Sequence, residues 1–400
     1  MMLTGIRTDR LASGELAGLV KKVRLFTNGG YDLYDKNEAA ILRLLDKILV
    51  LAKKEKEWYL YFDALYCILY QLNRGDNFKA ILKYAEIFFR DSALHMEREL
   101  PNYPGTDMGE TNSYCYANIF AAYSGFYQIN DEKMETFMGM YKETVLKYGG
   151  AVHYYNKEMC LAVLYRDRDR LKRAKNNFEK YEVENCYVCM HLPYFAYYLL
   201  NDDVEAAEEF LKQILTRQIP KKHQWCYNMC QNTEAQSLYL NIMYDCLIIG
   251  KPDYFFYFYK KYWLGKFGRQ EEKYGREFLT LSIFCCAIAG DFSELEADLR
   301  EAENIMEKSA AMTTDLCIHK YLSWWGYFCL LEKSGVQEVV LKLPCTEQTG
   351  KVLCRDAADW FEKEADRLGG LFEKAREKYD YRSIKDSYGR CVDHSEILRG

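Results

Sequence analysis

The densest set of metal-binding side chains in the sequence is four cysteines and two histidines. Cys186 and Cys189 sit in CYVC, and Cys226 and Cys230 sit in CYNMC some forty residues later, with His191 and His223 close by in sequence. Side chains three or four apart share one face of a helix, and a hairpin-sized offset can bring two such faces together, so a tetrahedral zinc site is conceivable. Zinc ligands are more often spaced on knuckle-like loops, and a chain with 15 cysteines makes such pairs by coincidence. Buried, reduced thiols packed at helix interfaces are the leading reading, zinc is the alternative, and no resident cofactor is expected.

A second arrangement is Arg90-Asp91-Ser92-Ala93-Leu94-His95. It resembles the arginine, polar residue, three others, histidine pattern of HEPN-type helical ribonucleases. That resemblance implies that Arg90 and His95 act on a scissile phosphate without a metal, usually across a dimer. The competing reading is a surface pair at the end of a helix. The run RDRDRLKRAK over 166–175 mixes charges that pair locally, and the acidic run over 202–209 complements a helix N-terminus. The sequence has no glycine-rich phosphate loop, no Gly-x-Ser-x-Gly elbow and no His-Glu-x-x-His, so the common motif-bearing hydrolase and nucleotide chemistries lack support.

The elements that must carry these residues are helices. In 194–215 apolar residues recur at helical spacing through Tyr194, Tyr197 and Leu200, an Asn201-Asp202-Asp203 turn follows, and a second amphipathic segment carries Ala206, Phe210 and Ile214. This is a helix, a tight turn and an antiparallel helix, and neither helix buries its stripe alone. Comparable turns are expected at 73–76, 130–131, 167–169, 201–202, 250–251 and 290–291. Their spacing is irregular, as in a degenerate two-helix repeat. Residues 1–36 hold one helix and a glycine stop, 37–335 the repeats, 336–379 C-terminal capping helices, and 380–400 a loosely held tail. The Pro- and Gly-containing stretch 100–111 is a candidate functional loop. No β-type alternation is evident.

The turns and helix faces resemble the tetratricopeptide repeat family. One unit offers Ala162 and Tyr165 followed by Ala174 and Phe178; another offers Tyr197, Asp202, Ala206 and Phe210; a third offers Gly75, Asp76, Ala80 and Tyr84. Each match is partial, and at Gly250 and Gly290 the small alanine is replaced. The resemblance implies an all-α, right-handed α-solenoid of antiparallel helix pairs with degenerate repeats, whose first helices line a concave groove for peptides or protein segments. By the family's spacing that face carries Phe120, Tyr127, Asn156, Arg166, His191, Tyr198 and Tyr244. Tyrosine offers contact area at low entropic cost, asparagine pairs with backbone amides, and arginine can hold a carboxylate. The alternative for each aromatic is ordinary core between helices.

Composition limits the partners. With 49% hydrophobic residues, 35 Tyr and 21 Phe but only 6 Pro, the chain can fill a long helical core. A net charge of −5 makes nucleic acid an unexpected main partner. No run of about 18 apolar residues occurs, so no membrane span is expected, and the charged N-terminal stretch does not resemble a signal peptide. These features point to a cytoplasmic protein, and the tetratricopeptide-like resemblance implies a non-catalytic scaffold or intracellular peptide receptor, bacterial in type, whose partner is a protein or peptide. The first 36 residues are too short for a helix-turn-helix module. A structural subunit that self-associates as a homo-oligomer is a further alternative, suggested by the aromatic run PDYFFYFYKKYW at 252–263, which has too many aromatics for one stripe.

Overall fold

The computed structural model describes residues 3, 6–27, 37–74, 77–95, 108–270, 278–344 and 350–399. The expected glycine stop after the first helix, the Gly75-Asp76 pair and most of the 100–111 loop lie outside the described residues. The described chain is all-α apart from one two-stranded hairpin. It forms two compact units, residues 1–126 with 132–157 and residues 127–131 with 158–400.

The first unit contains α1 (Gly14–Thr27), α2 (Glu38–Glu55), α3 (Trp58–Arg74), α4 (Phe78–His95), α5 (Met108–Gly125), most of α6 (Asp131–Tyr148) and the start of α7 (Ala151–Leu164). Helix α2 buries Ile41, Leu45, Ile48, Leu49 and Ala52, an apolar stripe of helical period, and stops where Lys56 turns left-handed at φ 61°. Helix α3 packs against α4 and also against α5, so the first helix of one hairpin meets the first helix of the next. Between α5 and α6 lies an aromatic cluster in which Tyr116 stacks on Tyr141 at 4.8 Å, and the buried Tyr141 hydroxyl donates to the Ser113 carbonyl at 3.2 Å.

The second unit continues through α8 (Arg168–Phe178), α9 (Tyr187–His191), α10 (Pro193–Leu200), α11 (Val204–Leu215), α12 (Cys226–Met229), α13 (Ala235–Ile248) and α14 (Pro252–Phe258). A π-helical turn, Tyr259–Trp263, extends α14. Then come α15 (Leu279–Ala289), α16 (Leu295–Glu307), α17 (Asp315–Lys333), the hairpin β1 (Glu338–Leu341) and β2 (Gly350–Leu353), α18 (Cys354–Ala375), α19 (Tyr381–Asp393) and α20 (Ser395–Arg399). Two of the predicted turns carry side-chain caps. Asp167 accepts from the Arg170 amide at 2.9 Å and Asp203 from the Ala206 amide at 3.0 Å, satisfying first-turn donors. Helix α10 packs on both α11 and α13, and α17 on α15, α18 and α19.

The C-terminal region differs from the sequence expectation. From Val336 onward the chain makes an antiparallel hairpin in place of a helix, with Val339 opposite Val352. It is followed by one long helix, α18. The stretch 380–400, expected to be loosely held, forms α19 and buries Tyr381, Ile384, Tyr388, Cys391 and Val392. Asp380 caps that helix through the Ser383 amide at 3.0 Å. Burial of two tyrosines and three aliphatic or thiol side chains outweighs the serine- and glycine-rich composition that hides the helical period. Among the described residues no helix is long and apolar enough to cross a membrane.

Candidate functional site

The seven residues assigned to the concave face fall in different surroundings. In the first unit Phe120 is buried with Lys157 over its ring at 5.8 Å, and Asn156 is buried at 4% exposure. In the second unit Arg166 is tied into the fold, its Nε donating to the Ile248 carbonyl at 2.9 Å and its guanidinium pairing with Asp380 at 2.8 Å. Tyr127 packs edge-on to Phe372, and Tyr244 packs edge-on to the His319 ring at 4.7 Å. Tyr198 is half-buried among Tyr194, Tyr197 and Phe210. His191 is buried and stacked on Tyr187 at 3.9 Å, with its Nδ1 2.7 Å from the Tyr187 carbonyl. Burial lowers the His191 pKa to about 4, so the ring is neutral at pH 7 and donates that bond. Phe120, Asn156 and His191 are interior residues in this arrangement.

Arg90 and His95 lie on α4 of the first unit. The Arg90 guanidinium is held by the buried Asp91, Nε to Oδ1 at 2.9 Å, and Asp91 also accepts from Lys53 at 2.7 Å and from the Tyr61 hydroxyl at 2.5 Å. The His95 ring lies flat on Trp58, with centroids 3.5 Å apart. The two residues are therefore engaged in separate local contacts.

In the second unit an open groove of about 420 Å³ runs along α11 and the π-helical turn. It is lined by the apolar Leu211 and Leu215, by Glu205, Glu208, Glu209, Lys212 and Thr216, and by Tyr262. The amphipathic α11 buries Ala207, Phe210, Leu211 and Ile214, which leaves its glutamates outward. The π turn lets the aromatic run bury Phe255, Phe258, Tyr259 and Trp263 while Tyr262 reaches Glu208 at 2.5 Å. Lys261 joins the same carboxylate at 2.5 Å. Burial works to raise the Glu208 pKa, but the hydrogen bonds from Lys261 and Tyr262 outweigh it and hold the carboxyl below its ordinary value. The groove signal in the sequence was the acidic run at 202–209, which reads from sequence as dipole compensation alone.

The thiols of Cys186, Cys189 and Cys230 converge, all three sulfurs lying within 4.8 Å of one another at half-buried positions. Cys189 and Cys230 are 3.2 Å apart. Cys186 precedes α9 and Cys230 follows α12 with φ −113° and ψ 116°, so both stand at helix ends. Cys226 is fully buried and interacts with Cys186, but it is not one of the three converging thiols. The reason is local: α12 ends at Met229, so Cys230 leaves the face that a four-residue spacing would give it with Cys226. His223 is buried 5.4 Å from the Tyr187 ring, and neither His191 nor His223 belongs to the thiol group. Hydrogen bonds with Cys186, Cys230 and Asn232 lower the Cys189 thiol pKa from its ordinary value.

No protein-family model, no curated protein and no solved structure matches the chain.

Proposed function

We propose that this chain is a non-catalytic helical-hairpin scaffold, or a peptide receptor of that build, which binds a segment of a partner protein along α11. The carrying observation is the groove at Leu211 and Leu215, where these leucines, three glutamates and a tyrosine meet over about 420 Å³. That volume and mixture suit a peptide-sized ligand: its apolar side chains pack on the leucines, and the polar lining groups fix orientation. Glu208 is paired with Lys261 and Glu209 stands 3.7 Å from Lys212, so the groove keeps one carboxylate in excess, at Glu205, which favours a basic amphipathic segment. Capped hairpin turns at 166–170 and 201–206, and the contact of α3 with both α4 and α5, support a solenoid of tetratricopeptide type as the frame.

A display selection of random peptides against the purified protein tests this. Selected peptides should be rich in Lys or Arg with apolar residues at helical spacing, and their binding should fall at least tenfold in the Glu205→Lys, Glu209→Lys double variant. Acidic or uncharged selected sequences, or binding indifferent to the charge reversal, would overturn the proposal.

A further inference from the structure

We propose that Cys186, Cys189 and Cys230, with Cys226 as fourth donor, form a structural zinc site that ties the 186–191 segment to the 226–232 segment. Zn–S bonds of about 2.3 Å in a tetrahedron place sulfurs about 3.8 Å apart. Three sulfurs already lie within 4.8 Å of one another, so closing on an ion needs only shifts of side chains. The Cys189–Cys230 separation of 3.2 Å is far longer than a disulfide bond of about 2.05 Å. Cys226 interacts with Cys186 and is the remaining cysteine of these two segments, which makes it the candidate for the fourth thiolate.

The surroundings are those of a ligand set with support behind it. Asn232 donates its side-chain amide to Cys189 Sγ at 3.3 Å, and the Asn241 side-chain amide donates to Asn232 Oδ1 at 3.0 Å. Asn241 also donates to the Ser237 carbonyl at 2.9 Å, so the relay is anchored to the backbone of α13. This fixes the Asn232 amide with its N–H toward sulfur, as outer-shell donors to metal thiolates are fixed. The ligand segments are otherwise short, a five-residue and a four-residue helix with irregular flanks, and neither buries a large core of its own. A cross-link there supplies order that packing does not. On binding, Zn(II) takes the place of the thiol protons, which leave to solvent.

The test uses the full chain, purified under reducing conditions and loaded with Zn(II) or Co(II) alone. One zinc per chain by elemental analysis, and a cobalt form with thiolate-to-metal charge-transfer bands and tetrahedral visible absorption, are the expected results. Cys189→Ser and Cys230→Ser should lose the bands, Asn232→Ala should weaken affinity by about 10- to 100-fold, and Cys329→Ser should change nothing. Absence of stoichiometric metal in the reduced wild type, an octahedral cobalt spectrum, or a Cys189–Cys230 disulfide in metal-free protein from the cell would overturn the proposal. Because the wild-type spectrum decides alone, variants that misfold do not blunt the test.

Discussion

The buried guanidinium of Arg376 donates from Nε to the backbone carbonyl of Ile129 at 2.9 Å, across 247 residues of chain. Beside it the Glu377 amide donates to Asp131 at 2.9 Å, and the Tyr165 hydroxyl meets the same carboxylate at 2.6 Å. These bonds fasten the 127–131 segment into the second unit. Replacing the charge by an apolar stem, Arg376→Met, leaves the Ile129 carbonyl without this donor and should cost about 1.5–3 kcal/mol in urea unfolding. A loss under about 0.5 kcal/mol would show that the bond does not hold the segment.

Docking of α19 depends on close approach to α18. A Cβ on Gly369 would stand 2.3 Å from the Tyr381 ring, whose hydroxyl donates to Asp366 at 2.6 Å. Gly369→Ala should therefore displace Tyr381 and destabilise by about 1–3 kcal/mol, with new protease sensitivity after residue 375. Thermal unfolding with limited proteolysis reads both effects.

Asp91 gives the first unit an acid-sensitive joint. Burial works to raise its pKa, but bonds from Arg90, Lys53 and Tyr61 outweigh it and hold the carboxyl well below the carboxylate range. A depressed folded pKa stabilises above the unfolded value and loses that contribution as pH falls through the folded one. Asp91→Asn should be less stable than wild type by about 2 kcal/mol at pH 7. The gap should shrink as pH drops below about 4, which paired denaturation curves at several pH values would reveal.

Asp245 on α13 should act in the opposite direction. Desolvation pushes its pKa up to about 8, so the folded state holds a proton that the unfolded chain releases near pH 4. Stability from this group is full below pH 4 and declines as pH rises towards 8. Asp245→Asn should flatten that decline, raising the melting temperature relative to wild type at pH 8 more than at pH 5. Equal shifts at both pH values would contradict a protonated carboxyl at this half-buried position.

Helix type and the polar turns were legible because Asp167 and Asp203 are capping residues placed before clear apolar stripes. The β1–β2 hairpin was not legible: each strand has four residues, and in β1 only Val339 and Leu341 are buried. The α19 stripe was diluted by Ser383, Ser387 and Gly389, and its burial depends on α17 and α18. At the thiols, residue type and approximate spacing identified the set, while the end of α12 at Met229 decided which three converge. The groove needed the π turn at Tyr259–Trp263, a local register change that a period of 3.6 does not announce.

Partner binding along α11 and the π turn, as proposed, would be seen as local protection of these two elements. Hydrogen–deuterium exchange with and without a selected basic amphipathic peptide measures it directly. Slowed exchange should be concentrated in Val204–Leu215 and Tyr259–Trp263 and be lost in the Glu205→Lys, Glu209→Lys protein. Protection appearing only elsewhere, or remaining unchanged after charge reversal, would contradict it.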